Sequence, residues 1–247
     1  MTRPRPDIGR REFILGSIAG GVGLASCASS QEAPHDIVVK TKAGDVTLRP
    51  IKHATVIIML KGKTWYIDPA QLPAGRDYRK ADVLLITHEH GDHYDPGAIQ
   101  QLKKEGTIIV TNPHVGEKVA GAIVMKNGDT KEIAGVKIEA IPAYNMVRKQ
   151  FHPQGRDNGY ILNIGGKRIY FAGDTEGTPE MKALKNIDVA FLPINLPYTM
   201  PPAEAAEAAK AFKPKILVPY HQGTFKAQDV ADALKGTGID VRVEILG

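Results

Sequence analysis

The chain has 247 residues, of which 43% are hydrophobic and 24% charged, and its formal net charge is +5. That is apolar material enough for one large domain or two small ones. The first 26 residues contribute +2 of the charge; the remaining roughly +3 is too little, with no aromatic-basic interleaving, to argue for nucleic acid or an anionic membrane surface as partner.

Residues 1–26 read as a removable leader. Arg10-Arg11-Glu12-Phe13-Ile14-Leu15 resembles a twin-arginine export signal. The uncharged run that follows is shorter than the ~20 apolar residues a permanent span needs. It ends in Leu24-Ala25-Ser26-Cys27, which resembles a bacterial lipobox and marks Cys27, the single cysteine, as the lipidation site. The reading is an exported lipoprotein on the periplasmic or cell-surface side, anchored to a membrane through Cys27. It has an anchor and spacer over 27–35, no disulfide, and one domain over 36–247.

From residue 36 short strands come in pairs: 36–40 with 45–49, 54–60 with 64–68, 122–126 with 130–133, and 160–164 with 168–172. The third pair flanks Asn127-Gly128, the strongest short hairpin signal. Helical patterns cover 96–104, 179–184, 203–212 and 228–235, the third alanine-rich behind Pro201-Pro202. Hairpins first and strands alternating with helices later predict an α/β domain of sheets covered by helices on their outer faces. The hairpin-rich opening recurs near residue 160, which suggests two similar halves.

The densest chemistry follows the apolar run Val83-Leu84-Leu85-Ile86. It leads into Thr87-His88-Glu89-His90-Gly91-Asp92-His93. An unbroken aliphatic run reads as a strand covered on both faces. In extended backbone His88 and His90 point the same way, and Gly91 lets Asp92 and His93 turn back toward them. Asp95-Pro96 then reads as an N-cap and first helical residue. Converging imidazoles and a carboxylate suit Zn²⁺ or a similar divalent cation. Further apolar strands end in coordinating or polar residues: Asp174 after 168–173, His221 after 216–220, Asn145 after 136–141 and Asn195 after 189–194. Ligands gather at the carboxyl ends of strands in covered sheets. Singly, Asp174 and His221 also fit a turn residue and a strand-end histidine; together with the first motif they read as metal ligands.

Thr87 to His93, Gly173-Asp174-Thr175 and Tyr220-His221 resemble the signature of the metallo-β-lactamase superfamily. Within it, segments 141–145, 151–153 and 195–200 are similar to the L-ascorbate-6-phosphate lactonase-like metal-dependent hydrolases. The resemblance implies an αβ/βα four-layer sandwich with two divalent metal ions at one edge. His88 and His90 would hold the first ion, Asp92, His93 and His221 the second, and Asp174 would bridge them. The family pattern has a third histidine for the first ion near the position of Asn145, an amide that ligates Zn²⁺ poorly. His152 either swings in or is a surface loop histidine. With no cysteine in the site, Mn²⁺ or Fe²⁺ stand beside Zn²⁺. Asp68 reads as a carboxylate behind a ligand imidazole or as a turn aspartate. His35, His53 and His114 read as structural.

The expected activity is hydrolysis of an ester, lactone or phosphodiester bond in a small molecule by a metal-activated water, with Asp92 orienting that water. Asn145, His152, Asn195 and Tyr198 are the candidate substrate-pocket residues. Two other readings stand beside it. One is a lipid-anchored metal-binding protein without catalysis, which Asn145 favours. The other is a β-lactamase, which the missing site cysteine fits poorly.

Overall fold

The computed structural model describes residues 36–243 together with Met1 and Thr2. Arg10-Arg11, the lipobox and Cys27 lie outside the described residues. Among the described residues no helix is long and apolar enough to cross a membrane.

The first half runs β1 (Ile37–Thr41), β2 (Gly44–Lys52), β3 (Thr55–Leu60), β4 (Lys63–Ile67), β5 (Val83–Ile86), α1 (Pro96–Leu102), β6 (Ile108–Thr111), α2 (Pro113–Gly116) and β7 (Ile123–Val124). The second runs β8 (Thr130–Ile133), β9 (Val136–Ala143), β10 (Asp157–Ile164), β11 (Lys167–Phe171), α3 (Pro179–Lys182), β12 (Val189–Pro193), α4 (Pro202–Phe212), β13 (Ile216–Tyr220), α5 (Ala227–Ala233) and β14 (Asp240–Val241). Each half forms its own seven-stranded sheet, with strands side by side in chain order. In the first, β1 to β4 are antiparallel neighbours and β4 to β7 parallel ones. The second repeats this succession: β8 to β11 antiparallel, β11 to β14 parallel. The suggested pair of similar halves is therefore the architecture itself.

Local chemistry explains the tight corners. Lys61-Gly62, Ala134-Gly135 and Gly165-Gly166 each join two strands with both residues at positive φ, the conformation that two-residue hairpins of matching twist require. Asn127-Gly128 does not make the predicted hairpin. Strand β7 pairs with β6 in the first sheet, whereas β8 pairs with β9 in the second, so this dipeptide carries the chain from one sheet to the other. The Asn127 side chain is drawn off by tertiary partners, donating to the Asp157 carbonyl at 2.8 Å and to Asn158 Oδ1 at 2.7 Å.

Side-chain alternation builds four layers. Ile58, Trp65 and Leu85 of the first sheet share the central core with Leu162, Phe171, Phe191 and Val218 of the second. Alternate residues point outward: Tyr66, Leu84 and Ile109 onto α1 and α2, and Tyr170, Ala190 and Leu217 onto α3, α4 and α5. This is the αβ/βα sandwich: successive side chains point to opposite faces, and unbroken apolar runs such as β5 and β12 therefore make both faces of their sheets apolar. Helix α1 starts as the sequence predicts, Asp95 Oδ1 accepting from Gly97 N and Ala98 N with Pro96 in the first turn. Strand β6 is an element that the hydropathy pattern does not single out.

Candidate metal centre

At one edge the two sheets approach closely enough to exchange hydrogen bonds. Tyr160 Oη donates to the Ile86 carbonyl at 2.9 Å. Asn158 N donates to Thr87 O, and His221 N to His53 O, each at 3.2 Å. Gly173 permits this approach: its φ is +65°, and a Cβ there would lie 2.9 Å from Asn158 O and 3.1 Å from Thr87 Cβ. Asp174 follows immediately and is carried into the gap between the halves.

Three sets of donors converge there. His88, His90 and His152 form one, His53, Asp92, His93 and His221 a second, and His88, His93 and Asp174 a third; within each set the donor atoms lie within 4.8 Å of one another. Asp174 sits between them. Its Oδ1 is 3.3 Å from His93 Nε2, and its Oδ2 is 3.4 Å from His152 Nε2 and 3.3 Å from His221 Nε2. His221 Nε2 also lies 3.3 Å from Asp92 Oδ2. Residues 88 to 93 follow β5, Asp174 follows β11 and His221 follows β13, so strand ends of both sheets supply the cluster.

Buried carboxylates fix which nitrogen faces inward in three of the rings, His88, His93 and His152. Asp68 is fully buried at the end of β4. It accepts from Thr87 N at 2.8 Å, from Thr87 Oγ1 at 2.7 Å and from His93 Nδ1 at 2.8 Å. With its proton committed to Asp68, the Thr87 hydroxyl can only accept from His88 Nδ1, 2.9 Å away. One carboxylate thus orients two imidazoles, His93 directly and His88 through Thr87, leaving both Nε2 lone pairs toward the centre. Asp157 does the same for His152, Oδ2 to Nδ1 at 3.0 Å.

The charges are those of a cation site. Burial and the neighbouring His93 hold His88 well below the ordinary histidine value. Burial opposes charge on His93 too, but Asp174 and Asp68 outweigh it and hold that ring well above the ordinary value. His152 is pushed up to about 9, burial being outweighed by Asp157 and Asp174. Burial would raise Asp92 and Asp174 as well; facing histidines win, and both stay far below the usual carboxylate range. The buried atoms His93 Nε2, His152 Nε2 and Asp174 Oδ1 make no hydrogen bond. Buried polar atoms left without hydrogen bonds are costly, and all three residues belong to the donor sets in which cations would serve them. The nitrogen-and-oxygen donor set fits a divalent transition metal.

A family model described as a β-lactamase superfamily domain matches residues 47–221. The chain belongs to the metallo-β-lactamase superfamily. Among relatives, it is 36% identical over 179 residues to a UPF0173 metal-dependent hydrolase of Thermococcus onnurineus, covering 68% of this chain and 79% of that one. Among solved structures, it is similar to a Parabacteroides distasonis protein described as a metal-dependent hydrolase, at 47% identity and TM-score 0.84, over 87% of this chain and 100% of that one. Igni18, a metallo hydrolase of Ignicoccus hospitalis, is similar at 27% identity and TM-score 0.70, over 82% and 96%.

Within this superfamily frame, the structure places the remaining candidates unequally. His152 is fully buried beside His88 and His90, not on a surface loop. Asn145 is fully buried and is not part of the cavity lining; its Nδ2 donates to the Tyr198 carbonyl at 2.7 Å and so ties two loops together. Asn195 and Tyr198 do line the cavity, a space of about 390 Å³ that also meets His90, Asp92, Phe151 and Asp174. His53, read as structural from sequence, stands with its Nε2 2.9 Å from Asp92 Oδ2 and its ring 3.8 Å from that of His221. It occupies the turn between β2 and β3 at φ +52°, a conformation uncommon outside glycine. Its signal in the sequence was a polar residue at the mouth of an apolar strand, which many turns share. His114 stays outside the cluster, half exposed and 3.6 Å from Glu89.

Proposed function

We propose that the chain is a metal-dependent hydrolase that holds two divalent cations, Zn²⁺ before Mn²⁺ or Fe²⁺, and cleaves an ester or lactone, with a phosphodiester as the other bond of this class. The supporting observation is Asp174, flanked by two donor sets and carrying a buried oxygen that makes no hydrogen bond. His88, His90 and His152 would hold one cation, and Asp92, His93 and His221 the other, with Asp174 shared. Such a pair, when bound, brings the pKa of a water toward neutrality and stabilises charge developing on oxygen.

The chain's own residues supply orientation. Asp92 is ionised and 31% exposed toward the cavity, so its carboxylate accepts a water O–H and aims the oxygen at the scissile group. His53 holds Oδ2 of that carboxylate from the other side. Asn195 and Tyr198 border the space where the substrate would lie. The gap at Asn145, which favoured a metal protein without catalysis, is made good by His152. The resemblance of segments 141–145 and 195–200 to the lactonase-like branch supports the ester or lactone bond.

The test is the Asp92→Ala variant. It should retain its melting temperature within a few degrees, because Asp92 lies at the cavity wall and outside the core, while hydrolysis of a model ester falls at least 100-fold. Near-normal turnover would refute the role. Export and anchoring through Cys27 are proposed from the Arg10-Arg11 and lipobox motifs; unchanged surface display after Arg10→Lys with Arg11→Lys would refute that route.

A further inference from the structure

Two loops border the cavity, 144–156 after β9 and 194–201 after β12. Three of the six large hydrophobic side chains exposed among the described residues lie on them, Val147 at 78%, Tyr198 at 45% and Leu196 at 37%, while Met1, Val38 and Val243 are scattered elsewhere in the sequence. Phe151 adds a further apolar wall, its ring edge-on to Tyr198 with centroids 5.0 Å apart. Clustered apolar exposure of this kind marks a binding surface more often than isolated residues do.

These loops are held in place. The buried Glu176 carboxylate accepts from Met146 N and Val147 N, both at 2.8 Å. Arg148 Nη2 donates to the Thr199 carbonyl at 2.9 Å, and Asn145 Nδ2 to that of Tyr198. Asn195 N donates to Thr199 Oγ1 at 2.8 Å. Fixed apolar walls cost a ligand little ordering entropy.

Cations are missing from the lining, which contains no lysine or arginine. The guanidiniums of the bordering loop 144–156 are engaged with carboxylates: Arg148 with Glu176 at 2.8 Å, and Arg156 with Asp157 at 2.8 Å and Glu89 at 3.3 Å. A sugar phosphate or other anionic substrate would find no lysine or arginine in the lining itself; the exposed Lys149 of the bordering loop stands outside it.

We propose that the cavity takes an uncharged ester or lactone with an apolar acyl or alkyl chain, which lies along the wall that Phe151 and Tyr198 make together and runs out over Val147 and Leu196. This rests on the hydrolase reading and names its substrate class. Each methylene buried there should raise kcat/KM about three- to fourfold until the chain passes the rim.

The experiment uses metal-loaded protein with p-nitrophenyl acetate, butyrate, hexanoate and octanoate, and bis-p-nitrophenyl phosphate. Calorimetry of straight-chain methyl ketones on metal-free protein gives a readout independent of turnover. Rates and ketone affinities that climb together with chain length support the proposal, as does a slope flattened by Val147→Ser with Leu196→Ser, two exposed positions whose change should leave folding intact. Hydrolysis indifferent to chain length, or faster on the phosphodiester, overturns it and leaves the hydrolase standing. Length-dependent ketone binding without turnover of any ester supports the apolar cavity and sinks the hydrolase instead. Neither binding nor turnover overturns both.

Discussion

Replacing Asp68 by Asn should weaken metal binding without unfolding the protein. The two side chains are nearly the same shape, so Oδ1 can still accept from Thr87 N at the present 2.8 Å. The amide would then stand where Oδ2 now accepts from Thr87 Oγ1 and His93 Nδ1. An NH₂ donates, so His93 must accept at Nδ1 and carry its proton on Nε2, the atom aimed at the centre. Thr87, no longer donating to a carboxylate, is free to donate to His88 Nδ1 and switch that ring as well. Carboxylates behind ligand histidines are worth about 10–100-fold in metal affinity, or about 1.4–2.8 kcal/mol at 1.4 kcal/mol per tenfold. Competition between metal-stripped protein and a chromophoric chelator measures the affinity, and melting of the metal-free protein checks the fold. Asp68→Ala is the contrast: it strands three buried donors at about 1–3 kcal/mol each, so its melting temperature should collapse. An Asn variant that binds Zn²⁺ within twofold of wild type would refute the tautomer argument.

Other outcomes follow from the same geometry. His152→Ala should lower the metal bound per chain, whereas Asn145→Ala should leave it unchanged and loosen the loops, as mass spectrometry and limited proteolysis would show. Gly159→Ala should destabilise by about 1–3 kcal/mol in urea titrations, because its Cβ would meet the backbone oxygens of Ala172 and Phe171 at 2.7 and 2.8 Å. Asp188 is held below the usual carboxylate range: burial opposes this, and Lys215, the Arg168 amide and Lys167 outweigh burial. A depressed folded pKa gives stability that is present above the unfolded value of about 3.9 and disappears as pH falls through the folded value. The advantage of wild type over Asp188→Asn in urea midpoints of metal-free protein should therefore be full at pH 6 and shrink below about pH 4.

Much of the site is legible in the sequence because its donors sit where backbone geometry is simple. His88 and His90 share a face by strand alternation, and Gly91 turns Asp92 and His93 back. Asp174 and His221 close short apolar runs that read as covered strands. His53 and His152 are harder, since each sits in an irregular segment positioned by residues distant in sequence: His53 O receives His221 N from the opposite half, and His152 faces Asp174 from another loop of its own half. The hairpin expected at Asn127-Gly128 shows the same limit. A dipeptide can favour a turn, but which sheet accepts the next strand depends on the core it will bury.

The two halves share a weaving pattern and meet at this edge, and neither owns a complete set of donors. His53, His88, His90, Asp92 and His93 belong to the first half, and His152, Asp174 and His221 to the second. A bound ion would therefore work as a rivet through two separately woven panels that are joined in the chain by one short bridge around Asn127. Chelation would pull the rivet at the seam while leaving each panel's own stitching whole.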